Sequence, residues 1–218
     1  MTMYLYSYFR SSCSWRVRLA LNLLKIPHEV RPINLLAGEH RSASYLKVNP
    51  LGVVPSLVTS EGDVIWQSLA IIDYIDKGDV LLPKTALERA QCWQIVHTIC
   101  SEIQPLQNLA IGKQIAEIAG GGETGEHVKM EWCKKHNLTK LKIIENELLS
   151  ETSSYCVGNK VTLADICLIP QLYSADRFGI NLEKEFPKMM RIAKKLREKP
   201  EFKLAHPQSQ PDCPQELR

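Results

Sequence analysis

No stretch of the chain approaches the roughly 20 consecutive apolar residues that a bilayer-spanning helix requires. Nor does a basic N-terminal region lead into an apolar signal run, so a cytoplasmic protein with no membrane partner is expected. Excess charge of one sign is also missing: 27 Lys and Arg against 24 Asp and Glu leave +3, too little to point to nucleic acid. The seven cysteines, at positions 13, 92, 100, 133, 156, 167 and 213, show neither paired metal-ligand spacing nor the framework of a small secreted domain. No metal site is expected, and the thiols should be reduced and mostly buried in helices. What the chain does have is length and apolar content: 218 residues, 44% of them hydrophobic, are enough for one or two domains with ample core.

The hydrophobic pattern changes near residue 80. Residues 4–8 read as a strand, and Val17, Ala20, Leu21 and Leu24 follow at the i, i+3, i+4, i+7 spacing of a helix. Residues 28–33 give a second strand, placed near a sheet edge by Pro32, and 39–48 allow a short helix. Glu61-Gly62-Asp63 separates apolar runs at 56–59 and 64–66, which predicts an antiparallel hairpin, and a helix over 69–75 follows. The order β-α-β-α-β-β-α is that of a thioredoxin-like domain, assigned to residues 1–80. Pro83 interrupts any continuing helix in a linker at 81–85, and residues 86–218 are expected to form an all-helical second domain. The expected fold class is therefore α/β plus all-α.

Within the second domain, Cys92, Ile95, Val96, Ile99 and Ile103 make one apolar stripe, kinked or ended by Pro105. Leu141, Ile144 and Leu148 mark another helix, and Met189, Ile192, Ala193 and Leu196 the last strong one. Thr162, followed three residues later by Asp165, reads as a helix start of the capping-box type. Gly120, Gly121, Gly122 and Gly125 make 116–127 a candidate mobile loop near a cleft, and 207–218 a poorly ordered or surface-draped tail.

Chemistry concentrates where the first strand gives way to the first helix, at Ser11-Ser12-Cys13-Ser14-Trp15-Arg16. A helix N-terminus offers N–H donors and a partial positive charge, so a sulfur anion placed there is stabilised. Lowering a thiol pKa by two units takes roughly 2.7 kcal/mol, within reach of one or two charge-assisted hydrogen bonds. The sulfur can belong to Cys13 or to a bound small thiol activated by the serines. Arg16 stands where a second cysteine would be needed, so no dithiol cycle is available. Serines before a helix are also ordinary caps.

Together with this run, Asn49-Pro50, Val54-Pro55, Gln67-Ser68 and Gln104-Pro105-Leu106-Gln107-Asn108-Leu109 resemble the zeta class of glutathione transferases over residues 6–217. The resemblance implies a thioredoxin-like domain followed by a helical glutathione-transferase C-terminal domain, glutathione as cofactor, and a homodimer. It assigns catalysis to Ser11, Ser12 and Cys13, with Ser11 holding the thiolate and Cys13 tuning or positioning. Ser14, Trp15, Arg16, His40, Val54, Pro55, Gln67 and Ser68 fall at the glutathione site, Arg16 also supporting the first helix. Val54-Pro55 is expected to be cis, leaving the Val54 peptide to pair with the cysteinyl part of glutathione. Ser68 is expected to bind the γ-glutamyl carboxylate at a helix start. Gln104, Asn108, Leu109 and Ala110 are the second domain's contacts to the site, with Gln104 and Asn108 four apart on one helical face.

Two positions depart from the family pattern: His40 replaces a common glutamine, and Ala110 a frequent serine. Arg10 and Arg177 are the candidate cations for an anionic substrate, since the planar guanidinium suits carboxylates. The activity implied is glutathione-dependent cis–trans isomerisation of maleylacetoacetate to fumarylacetoacetate in tyrosine and phenylalanine breakdown. A small dicarboxylate or an α-halo acid is the substrate class. The alternatives are a monothiol oxidoreductase using Cys13 and a noncatalytic ligand-binding protein.

Overall fold

Strands β1 (Tyr4–Ser7), β2 (Glu29–Pro32), β3 (Ser56–Val58) and β4 (Val64–Trp66) form one mixed sheet in the order β2-β1-β3-β4 in the computed structural model, which describes residues 2–218. β1 and β2 run parallel, with Leu5 opposite Val30, and the crossover such a pair needs is supplied by helix α1 (Ser12–Leu23). β3 is antiparallel to both β1 and β4. Its hairpin to β4 closes through Thr59, whose N–H donates to the Asp63 carbonyl at 2.9 Å. Gly62, at φ +96°, occupies the left-handed region that this turn requires. β2 is an edge strand, and that is why Pro32 fits in it. Helices α2 (Ala43–Leu46) and α3 (Ser68–Ile75) complete the expected order.

Of the expected α1 stripe Val17, Ala20 and Leu21 are buried and Leu24, at the C-cap, is half-buried, and everything from Ser14 to Leu21 is buried as well, including Arg16 and Arg18. A helix buried on every side needs cover beyond a sheet, and the C-terminal segment provides it. The chain divides into two compact units, Met1–Val80 with Arg197–Arg218, and Leu81–Leu196. Residues 197–218, expected with the helical half, thus belong to the first unit, where α10 (Pro200–Ala205) packs on α1. Residues 207–218 are ordered through internal contacts: Gln210 Nε2 donates to the carbonyls of Leu204 and His206 at 2.8 and 3.0 Å, and Cys213 is buried. Their prolines and glutamines shape turns here and do not keep the segment loose.

In the helical unit, α4 (Ala86–His97) continues through a wide π turn, Thr98–Ile103, into a 3-10 turn, Gln104–Gln107, that holds Pro105. The stripe from Cys92 to Ile103 is fully buried. Leu81 and Leu82, expected in a linker, are buried too, and the Leu81 carbonyl accepts from Leu163 N at 2.7 Å. Asp165 closes the capping box at the start of α7 (Leu163–Arg177), accepting from the Thr162 and Cys156 N–H groups at 2.8 and 2.9 Å. Burial raises its carboxyl above the ordinary range, and these donors oppose that rise. After α8 (Leu182–Glu185) comes α9 (Pro187–Arg197), whose buried stripe is the one read from the sequence.

The glycine-rich stretch is not a loose loop. α5 (Leu109–Ile118) and α6 (Gly122–Ile143) form a tight helical hairpin, and Gly120, Gly121 and Gly122 supply three successive positive φ values of 97°, 68° and 55° at its turn. Gly125 lets the helices touch: a Cβ there would lie 2.3 Å from the Ala116 carbonyl oxygen. Gly125→Ala must therefore part α5 from α6. Urea unfolding is expected to show a loss of about 2 kcal/mol as a lower midpoint at unchanged slope.

Candidate functional site

The turn after β1 is closed by Ser11 N donating to the Tyr8 carbonyl at 3.0 Å. Ser11 then caps α1: its Oγ accepts from Ser14 N at 3.2 Å, with extended backbone angles of −68° and 117°. The cap uses the oxygen as acceptor and leaves the hydroxyl proton to be donated elsewhere. Ser11, Ser12 and Cys13 are half-buried, and full burial starts at Ser14. Two serine hydroxyls and a thiol thus stand at the positive end of a helix dipole, where an incoming anion can reach them.

Arg16 lies beneath them with 2% of its surface exposed, and its Nη1 reaches Ser68 Oγ at 3.4 Å and Cys13 Sγ at 3.9 Å. One guanidinium therefore ties the first turn of α1 to the first residue of α3. Gln67, immediately before α3, has φ +77°, which is costly for a residue with a Cβ and is characteristic of functional sites. The twist starts α3 abruptly after Trp66, and no side chain caps it. Its first-turn N–H groups form a second anion-accepting end.

Val54-Pro55 is cis, as expected. The loop before it hangs on Asn49, wholly buried, whose Nδ2 donates to the Val53 carbonyl at 2.8 Å and to Ser56 Oγ at 3.1 Å. The Tyr45 hydroxyl donates to the same carbonyl at 2.7 Å. Among the described residues the Val54 N–H and C=O take no hydrogen bond, so the peptide presents a strand-like donor and acceptor with nothing opposite.

Ser14, Trp15 and Arg16, expected at the glutathione site, have buried side chains packed beneath this turn. Trp15 sits edge-on to His206 at 5.2 Å between ring centres. Arg10 is half-buried with its guanidinium carbon 5.6 Å from the Phe9 ring centre.

In the helical unit, Gln104 opens the 3-10 turn and Asn108 leaves helical geometry at ψ 146°, so the two do not share a helical face. Four-residue spacing places side chains together only in a continuous α-helix, and Pro105 breaks this one. The Asn108 Oδ1 instead caps α5 by accepting from Ala110 N at 3.0 Å. Leu109 and Ala110 are exposed at the start of α5, and Arg177 is exposed in the last turn of α7. Gln107 enters a closed amide cluster, its Oε1 accepting from Asn137 Nδ2 at 2.7 Å and Gln171 Nε2 at 3.0 Å. The same run of sequence that drew attention to Gln104 and Asn108 contains it.

Family models for the Glutathione S-transferase N-terminal and C-terminal domains match residues 10–77 and 108–200. Probable maleylacetoacetate isomerase 2 of Drosophila melanogaster is 41% identical, over 98% of this chain and 91% of that protein. The glutathione S-transferase zeta class protein of Euphorbia esula is 40% identical over 95% and 91%. The chain belongs to the zeta class of the glutathione S-transferase family. Its fold is shared with the maleylacetoacetate isomerase of Anaeromyxobacter dehalogenans 2CP-1, solved with bound dicarboxyethyl glutathione and citrate. The TM-score is 0.85 at 33% identity, with 98% of each chain covered.

His40 stands where the resemblance implies a common glutamine. It lies in a 3-10 turn, Glu39–Arg41, held against the 49–53 loop at Gly52, where a Cβ would meet the His40 carbonyl and the Arg41 side chain at 3.0 Å. Its Nδ1 is buried without a hydrogen-bond partner among the described residues. Burial, and then the neighbouring Arg41 charge, hold the imidazole below the usual histidine range. A depressed folded-state pKa means stability that is present above the ordinary histidine value and lost as pH falls through the folded one. Urea unfolding at pH 7.5 and pH 5.0 is therefore expected to show a larger acid loss for the wild type than for His40→Gln.

Proposed function

We propose that the chain is a glutathione-dependent isomerase that converts maleylacetoacetate to fumarylacetoacetate in tyrosine and phenylalanine breakdown, and that it also acts on small α-halo acids. The observation that carries this reading is Ser11, an N-cap whose oxygen is engaged and whose hydroxyl proton points to a use outside the helix. When bound, glutathione supplies a thiolate that adds reversibly to the cis double bond and leaves again after rotation.

The residues present fit that cofactor. Ser11 donates to the sulfur, with Ser12 and the Cys13 amide beside it and the α1 dipole favouring the anion. Cys13 positions, and its own sulfur is not required as nucleophile. The unpartnered Val54 peptide pairs with the cysteinyl residue, Pro55 fixing its direction, and Gln67 and Ser68 at the open end of α3 hold the γ-glutamyl carboxylate. His40 reaches for the glycyl end. In this reading the first unit carries the glutathione site, and Gln104, Asn108, Leu109 and Ala110 are the positions of the helical unit that the family resemblance assigns to the cofactor.

Arg10 and Arg177 supply cations to the substrate carboxylates. The dicarboxyethyl glutathione bound by the Anaeromyxobacter protein supports a small dicarboxylate substrate. Seven free thiols suit a reducing cytoplasm, and the resemblance supports a homodimer. Supplied with glutathione far below substrate, the purified protein is expected to complete many turnovers per glutathione and none with S-methylglutathione. Activity that stops once glutathione is consumed would point instead to conjugation, and its absence to ligand binding.

One observation favours a second reading. Cys13 Sγ lies 3.9 Å from the Arg16 guanidinium, a charge that stabilises a thiolate and suits a monothiol oxidoreductase forming a mixed disulfide. Ser11→Ala is expected to lower kcat about 100-fold while Cys13→Ala stays within a few-fold of wild type, because removing one oxyanion-type donor has that order of effect. The reverse pattern in the same kinetic assay would favour the mixed disulfide.

A further inference from the structure

Phe9, two residues before Ser11, is gripped at both ends of its backbone by residues the proposed reaction does not otherwise use. Its N–H donates to Asp212 Oδ2 at 2.8 Å. Its carbonyl accepts from Arg18 Nη2 at 2.9 Å. Arg18 Nη1 also donates to the Tyr8 carbonyl at 3.3 Å, the same oxygen that accepts from Ser11 N, and to Ser7 Oγ at 2.9 Å. Its remaining donors go to the Ala205 carbonyl, from Nε at 3.2 Å and Nη2 at 3.1 Å. Tyr8 and Phe9 pack in one buried cluster with Cys213, the neighbour of Asp212. All of these groups lie in the same compact unit.

We propose that Asp212 is a positioning residue for the isomerase reaction: from the C-terminal segment, and together with Arg18, it clamps the Phe9 backbone and so fixes where Ser11 presents its hydroxyl. The inference rests on the functional reading given above. Holding the Phe9 N–H and the Phe9 C=O restrains the two peptide planes on either side of its Cα, and the closed turn from Tyr8 to Ser11 transmits that restraint to the cap. Displacing a catalytic donor by about 1 Å can cost a factor of about 100 in rate, so fixing this turn matters to the reaction.

The carboxylate is also a poor choice for packing alone. Asp212 Oδ1 is buried with no hydrogen-bond partner among the described residues, a costly arrangement for a charged group. Its charge has one evident use. Burial lowers the Arg18 guanidinium to about 9, and Asp212 acts in the opposite direction, helping to keep it protonated at neutral pH. The two ends of the clamp thus reinforce each other.

The test uses the full-length wild type, Asp212→Ala and Asp212→Asn. Asn keeps an acceptor for the Phe9 N–H. Three readouts are taken: hydrogen exchange over residues 8–15, the pH titration of glutathione thiolate absorbance in the complex, and steady-state kinetics. Asp212→Ala is expected to speed exchange over 8–15 but not in β1, to raise the thiol pKa by about one unit, and to lower kcat about tenfold with KM within twofold. Asp212→Asn should recover most of kcat. Unchanged thiol titration and unchanged kcat per folded site in Asp212→Ala, with only a lower melting temperature, would make Asp212 a packing residue and overturn the inference. A wild type without thiolate signal or turnover would defeat the isomerase reading itself. Exchange then judges the clamp alone, and unchanged protection over 8–15 in Asp212→Ala would overturn that too.

Discussion

Burying a guanidinium is tolerable only when its donors find acceptors, and α1 buries two of them. Arg18 meets the requirement with carbonyl oxygens from two places far apart in the chain, Tyr8 and Phe9 ahead of it and Ala205 near the other end. The consequence runs outward from that one group. The C-terminal segment must return to α1, α10 must pack there, and the turn leading to Ser11 is held by the same donors that keep the charge solvated inside the protein. Arg16, two residues earlier on the same helix, joins α1 to α3 through Ser68. The geometry of the Ser11 turn and the burial of internal charge are thus one problem with one solution.

Local patterns in the sequence revealed the elements well because they are encoded locally. The hairpin at Glu61-Gly62-Asp63, the Thr162–Asp165 box, the break at Pro105 and the edge position of Pro32 all depend on a few neighbouring residues. The cis bond at Val54-Pro55 came from the family resemblance, because the residues alone allow either isomer. Long-range features stayed hidden. Arg18 is buried with the help of Ala205, far along the chain, a partner that no local spacing announces. Glycines at 120–122 and 125 reveal backbone freedom, and that freedom serves a tight turn and a close helix contact as readily as motion. The candidate site was legible at Ser11 to Cys13 and at Val54, but the supporting residues Arg18, Asn49 and Asp212 carry no spacing signal, since their partners are backbone groups chosen by the fold.

The helical unit shows a different way to use polarity inside a core. Gln107, Asn137 and Gln171 satisfy one another across a 3-10 turn and two long helices, with Asn137 also donating to the Cys133 carbonyl at 2.8 Å. A closed set of amides specifies one arrangement of those segments, because any slip leaves a buried donor or acceptor unmet. Neutral amides do here what buried charges do around α1, without the cost of desolvating an ion.

The division of the chain has a temporal side. The helical unit, Leu81–Leu196, is an insertion within the first unit, whose last piece is Arg197–Arg218. Synthesis proceeds from the N-terminus, so the strands and α1 emerge long before the carbonyl of Ala205 and the carboxylate of Asp212 exist to receive Arg18 and Phe9. During that interval the helical unit has all its residues while the thioredoxin-like unit does not. The turn bearing Ser11 therefore lacks two of its anchors until the last residues of the chain have been made.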